Sequence, residues 1–344
     1  MKFSVFKTLL SFTTCLTLVA PLAFAGPRTV NCDHGDLIQD AIDAGAGSAK
    51  PIEINVYGTC YEEDIRITRP RVSINGDGLT TIHGTIRVLN SNAVVIRDLK
   101  VTEPDDGLRL VNSRVRLFNV QIVDNDSTGI SAADGSVIRT RGVTISGNRE
   151  GIWLNRSHAG LRDTLVEFNN SAGEFSDGIL VLQNSSLDTD GGSISGNGNL
   201  GIRVNWNSSI TIRGTHIESN GAYAVQMYNA SGGDLSDAHV VGNTGFGIEL
   251  GGNSALEMYG GEVRGNGWDG VLVSEHSMLR LHGTTITENG GHGVFVFRDG
   301  GVVTHGDTEI FGNGEYFQVM CAGDEASIDV ADESTVEPFD CSGF

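Results

Sequence analysis

The chain has 344 residues and carries 23 lysines and arginines against 43 aspartates and glutamates, a net charge of -20. That balance excludes a general nucleic-acid binder, which needs a basic face for phosphate, and 39% hydrophobic residues exclude a disordered chain. Glycine is the outlier, with 47 residues against 6 prolines and no Gly-X-Y triplet, so the composition reads as short strands joined by tight turns.

At the N-terminus, Lys2 and Lys7 precede an apolar run from Leu9 to Leu22 that ends in Ala23-Phe24-Ala25. A basic region, a hydrophobic region and a small-x-small end predict a signal peptide over residues 1–25, cleaved after Ala25, and export to the periplasm or the exterior. That run is short for a membrane span, and no later stretch reaches ~18 apolar residues. Cys15 falls inside the signal. Cys32, Cys60, Cys321 and Cys341 remain, as a close pair near each end, in a compartment that permits disulfides. Three pairings are open, and Cys32–Cys60 with Cys321–Cys341 is expected. A metal site is the competing reading, but no Cys-x-x-Cys spacing supports it.

From Gly107 onward a repeat dominates. Segments of the form small–aliphatic–x–aliphatic begin at Gly107, Gly129, Gly151, Gly178, Gly201, Ala224, Gly247, Gly270 and Gly293, mostly 22 or 23 residues apart. Ser136, Ser185, Ser208, Ser231, Ser254 and Ser277 recur at one position, and Asn148, Asn197, Asn220, Asn243, Asn266 and Asn289 at another. Within each copy the apolar residues alternate with period two, which predicts three short strands per repeat. A unit this small cannot bury its own core, so the copies must stack. Stacking at ~4.8 Å gives three parallel sheets and about 12 coils, a rod roughly 55 Å long. Asn at the turn is expected to take left-handed geometry and to hydrogen-bond along its column.

On these residues the sequence resembles the right-handed parallel β-helix repeat proteins, the pectate-lyase-like superfamily with polygalacturonases, chondroitinase B and mannuronan epimerases. The resemblance covers Val30 to about Val330. It implies an all-β solenoid forming one domain over 26–344, with an N-terminal cap at 26–50, coils at 51–316 and a C-terminal cap at 317–344. Asp36-Leu37-Ile38-Gln39-Asp40-Ala41-Ile42 is similar to the family's capping helix, and the Cys321–Cys341 segment would cover the other end.

The resemblance does not extend to one activity. Asp188-Thr189-Asp190, Asp105-Asp106 and Gly291-His292-Gly293 echo polygalacturonase signatures, but their order is wrong and an Arg-Ile-Lys is missing. The Asp-Pro-His of mannuronan epimerases is missing too; Glu103-Pro104-Asp105-Asp106 lacks the histidine. Lyases of this fold often use a lysine or arginine base helped by calcium, which makes Lys100 the candidate base and leaves calcium open as a cofactor.

Charge is unevenly placed. Residues 62–165 hold 14 basic and 13 acidic residues, whereas 166–344 hold 5 and 25. Repeat register puts Arg97, Arg141 and Arg162 in one outward column of the second strands, and Arg116 and Arg139 in another. They form either a polyanion-binding face or a solvated face with local ion pairs. On the first strands, Arg87, Arg109, Trp153 and Arg203 share a column, bordered by Asp106, Glu150 and Asp177. An insertion from Asn170 to Ser176 enters beside Asp177. Tryptophan offers a platform for a sugar ring, and arginine offers bidentate contacts to carboxylate or sulfate. Glu150 and Asp177 on neighbouring coils would lie ~5 Å apart, and Asp106 and Glu150 ~10 Å apart, near the two glycosidase geometries. Ordinary solubilising turn carboxylates are the alternative. His216 and His239 stack ahead of Glu262, and His282 and His305 beneath Tyr259, but no metal site is assigned.

The expected function is an exported carbohydrate-active protein that binds an acidic polysaccharide and cleaves it by lyase or glycosidase chemistry. The rival is a non-catalytic surface or periplasmic module, glycan-binding or structural. A monomer is expected.

Overall fold

Three strands per coil follow the period-two pattern, and every described strand pairing is parallel. The computed structural model describes residues 27–47, 49–103, 105–170, 176–323, 325–331 and 334–341, without the side chains of 62 and 63. The expected signal peptide and residues 171–175 of the insertion lie outside these. One coil comprises Thr128–Ala133, Val137–Arg141 and Thr144–Ser146.

The second strands stack into a fourteen-stranded sheet running from Arg28–Asn31 to Ser327–Val330. The first and third strands form two further ladders. These merge near the N-terminus because Thr81–Leu89 is long enough to serve both, pairing Thr81–His83 with Lys100–Thr102 and Ile86–Leu89 with Leu108–Val111.

Inward columns of aliphatic residues form one continuous core. Ile130, Ile152, Ile179 and Ile202 stack in register on the first strands, each at 0% exposure. Burying each such side chain contributes roughly 1.5–3 kcal/mol. The small residue opening each repeat is a steric requirement. A Cβ on Gly178 would sit 2.6 Å from the Gly201 carbonyl oxygen and 2.7 Å from Asn197 Nδ2.

The asparagines form a buried amide ladder from Asn125 to Asn313. Asn197 donates from its backbone N–H (3.1 Å) and its Nδ2 (3.0 Å) to Asn220 Oδ1, while Asn220 Nδ2 donates to the Ile194 carbonyl at 3.1 Å. The column ends on Gln318, whose Oε1 accepts both bonds from Asn313. The expected left-handed geometry falls one residue earlier, at Gly147, Gly196, Ser219, Gly242 and Gly265. The turn bends at the preceding residue, leaving asparagine free to spend its amide on the column. The serines stack likewise, with Ser254 N–H donating to Ser277 Oγ at 3.1 Å.

Both expected disulfides are present, Cys32–Cys60 and Cys321–Cys341. A six-residue helix, Ile38–Asp43, packs Ile38 and Ile42 against the first coils. Val319–Ala322, Ser327–Val330, Thr335–Val336 and Phe339–Asp340 continue the coils in register, because Val319 and Cys321 keep the inward alternation. Among the described residues, no helix is long and apolar enough to cross a membrane.

Candidate functional site

The outward arginines of the second sheet stand where repeat register puts them. Arg97, Phe118, Arg141, Arg162, Asp190 and Arg213 form one column, and Arg116, Arg139, Gly160 and Asp188 the next. The Arg97 guanidinium lies over the Phe118 ring at 5.5 Å, and Arg162 reaches Asp190 at 3.1 Å. Arg114, Arg116, Arg139 and Arg141 have no carboxylate partner among the described residues. Like charges on paired strands repel, so this arrangement costs free energy that an anion would recover.

The surface over these arginines is concave. Three hollows of about 490, 680 and 600 Å³ follow one another along the sheet. The first two share Arg116 and Arg139, and the second and third share Ala93 and Val95. Gly160 opens a notch in the first, since a Cβ there would meet nothing closer than 3.8 Å. Asp188, Asp190, His158 and Arg213 join this surface, with His158 Nε2 3.9 Å from Asp188 Oδ2 and its Nδ1 2.8 Å from Ser186 Oγ. Sequence reasoning tested Asp188-Thr189-Asp190 only as a signature. Extending the arginine columns, by one coil past Arg162 and by two past Arg139, would have placed both aspartates here.

The first-sheet column Arg87, Arg109, Ser131, Trp153, Leu180 and Arg203 is also in register. Its chemistry is mostly committed. Arg87 Nε lies 2.6 Å from Asp64 Oδ1, an ion contact outside hydrogen-bond angles, and its Nη2 lies 3.6 Å from Asp105. Asp177 is buried; it accepts from Arg203 Nε at 2.7 Å, the Leu200 N–H at 3.1 Å and Asn199 Nδ2 at 2.8 Å. Its oxygens therefore brace the turn. Asp106 accepts from the Thr128 N–H at 3.1 Å. Glu150 is half-buried and makes no side-chain hydrogen bond among the described residues. Burial pushes its carboxyl pKa up, Arg149 opposes this, and Asp177 adds to it. Arg109 is exposed and Trp153 half-buried, neither committed to a carboxylate. Lys100 stands elsewhere, on the third sheet between Thr81 and Gln121, so it does not join the carboxylates by column.

The histidines stack on one another. His216 and His239 have centroids 4.6 Å apart, and His239 Nδ1 lies 3.0 Å from Glu262 Oε1. Tyr259, His282 and His305 form a second stack at 4.7 Å steps. Among the described residues, no group of three or more His, Cys, Asp or Glu is arranged to hold a metal ion.

The family model described as "Right handed beta helix region" matches residues 177–336, over the part of the chain where stacking is most regular. The chain folds as a right-handed parallel β-helix. The β-helix is similar to the A-module of the Azotobacter vinelandii mannuronan C-5 epimerase AlgE6, at 16% identity and TM-score 0.63 over 90% of this chain and 98% of that module. The AlgE4 A-module from the same organism matches at 15% identity and TM-score 0.64, over 90% and 100%. The enzymatically active domain of bacteriophage CBA120 tailspike protein 2 matches at 12% identity and TM-score 0.50, over 89% of this chain and 52% of that one. At such identities the likeness is one of fold. No curated protein matches the sequence.

Proposed function

We propose that this β-helix is an exported protein that binds an acidic polysaccharide along the concave face of its second sheet. The observation that carries the reading is the cluster of arginines, Arg139 stacked on Arg116 and Arg141 two residues along the same strand, left without carboxylates among the described residues over contiguous hollows. A scaffold that pairs Arg264 with Glu262 and Glu288, and Arg280 with Glu257, has the means to neutralise its cations. Leaving these free is what a carboxylated or sulfated chain would reward. The two disulfides fit an oxidising compartment. Structural neighbours named as mannuronan C-5 epimerases support a polysaccharide ligand.

A catalytic role has one specific support, the Glu150 carboxyl. It is uncommitted and its pKa is raised, as a general acid requires. Against a paired-carboxylate mechanism, Asp177 is already spent on Arg203 and the Leu200 N–H. The reading that fits both facts is a glycan-binding protein, with lyase or glycosidase action tested separately.

The test is a panel of polygalacturonate, alginate and chondroitin sulfate, with and without calcium, measuring binding and the absorbance of unsaturated products. Binding of at least one polymer that weakens with salt is expected. No binding to any of them removes the proposal, while binding without products selects the non-catalytic module.

A further inference from the structure

On the second sheet the outward charge changes sign abruptly, and the hollow at Gly160 sits at the change. Across four consecutive strands, Val94–Arg97 to His158–Arg162, the outward residues include six arginines and no carboxylate. The next strand presents two, Asp188 and Asp190, in register with Gly160 and Arg162. Both are more than half exposed at the side chain. A polyanion lying along the rod would therefore meet cations for four coils and then two carboxylates directly in its path.

Resting on the acidic-glycan reading above, we infer that the face recognises the end of such a chain, with the terminal sugar in the Gly160 notch. Two physical arguments converge. An internal sugar carboxylate carried past the notch would approach Asp188 and Asp190 at about one strand spacing, ~4.8 Å. At that range each like-charge pair costs about 1 kcal/mol in water and more beside a protein surface; Arg162 is already paired with Asp190, which leaves Arg213 on the next coil as the one arginine in that column to offset it. A terminal sugar, by contrast, carries a free hydroxyl where an internal one carries the next glycosidic linkage. Ionised carboxylates only accept hydrogen bonds, so the same two aspartates that repel a continuing polyanion suit a hydroxyl donor. The notch has room for the ring. Its hollow of about 490 Å³ is floored by Gly160 and walled by Arg139 and Asp188. Four coils span roughly 15–20 Å, so the basic run would hold a short terminal segment.

The experiment titrates the full chain with long polygalacturonate, alginate and chondroitin sulfate, then with fragments cut from whichever polymer binds. Fragments present more ends per gram. End recognition predicts that the protein bound per gram at saturation rises by the factor by which ends were multiplied. An unchanged or reduced amount per gram means internal binding and overturns this inference while leaving polysaccharide binding intact. No binding to any polymer overturns both. The double variant Asp188→Asn/Asp190→Asn keeps hydrogen-bonding groups but removes the charge barrier. It should bind several-fold more protein per gram of the long polymer than the parent does. An unchanged amount on the long polymer would remove the two aspartates from the role assigned to them.

Discussion

The first and second sheets commit their arginines to different degrees. On the first, Arg87 lies against Asp64 and Asp105, and Arg203 holds a buried Asp177. On the second, Arg139 stacks on Arg116, with Arg141 and Arg114 on the same two strands, and none of the four has a carboxylate partner among the described residues. The two sheets share one core, one repeat and one strand spacing, so the scaffold does not dictate the difference. Paired charges hold turns in place, whereas unpaired cations in a hollow are a surface waiting for an anion. A candidate site in a repeat protein is thus marked less by charged residues than by charged residues that the fold has declined to neutralise.

The comparison breaks most sharply at the second sheet. Replacing Arg139 and Arg141 with alanine together removes two charge-assisted contacts of about 1.5–3 kcal/mol each. Affinity for the bound polymer should fall about a hundredfold or more, measured by titration at fixed salt. Stability should hold or rise slightly, because stacked repulsion is relieved. A double variant that binds like the parent would place the ligand elsewhere.

On the first sheet, Asp177→Asn should act on folding. It leaves the Arg203 guanidinium facing a neutral amide and weakens the brace on the Leu200 N–H. A loss of about 3 kcal/mol in denaturant unfolding is expected for breaking a mostly buried pair, with the affinity of the remaining folded protein unchanged. Asn243→Leu, which interrupts the amide ladder between Asn220 and Asn266, should cost about 2 kcal/mol through stranded donors.

Glu150→Gln sharpens the contrast between a spent carboxyl and a free one. Burial raises the Glu150 pKa in the folded chain above its ordinary 4.5. The protonated form is therefore the one the fold prefers, and its stabilisation is present below that value and lost as pH rises through the raised pKa. Glutamine mimics the protonated form. The variant should melt higher than the parent at pH 7, and the difference should vanish below the ordinary glutamate range. A melting difference independent of pH would contradict the burial argument. The smallest effect is expected at Arg280, paired with Glu257 on the surface. Alanine there should cost at most about 1 kcal/mol and leave polymer binding untouched.

Much of this was legible before any coordinates, for a reason particular to repeats. A period of 22 or 23 residues converts sequence separation into vertical neighbourhood, so the columns Arg97–Phe118–Arg141–Arg162 and Arg87–Arg109 followed from counting. What counting cannot supply is side-chain commitment. Asp177 and Glu150 read alike as turn carboxylates beside an insertion, and they differ only because Arg203 and the Leu200 N–H reach one of them. Lys100 read as the candidate lyase base, and it stands on the third-strand ladder between Thr81 and Gln121, outside the first-strand columns.

The sequence alone determined the coil, its three strands and the Ser and Asn columns, because each depends on a periodic local pattern along the chain. Tertiary structure alone decided which charges neutralise one another, that the left-handed turn falls one residue before each ladder asparagine, and that Gly160 hollows the basic face. Those outcomes depend on where flexible side chains and backbone meet across neighbouring coils, and period counts register without measuring contact.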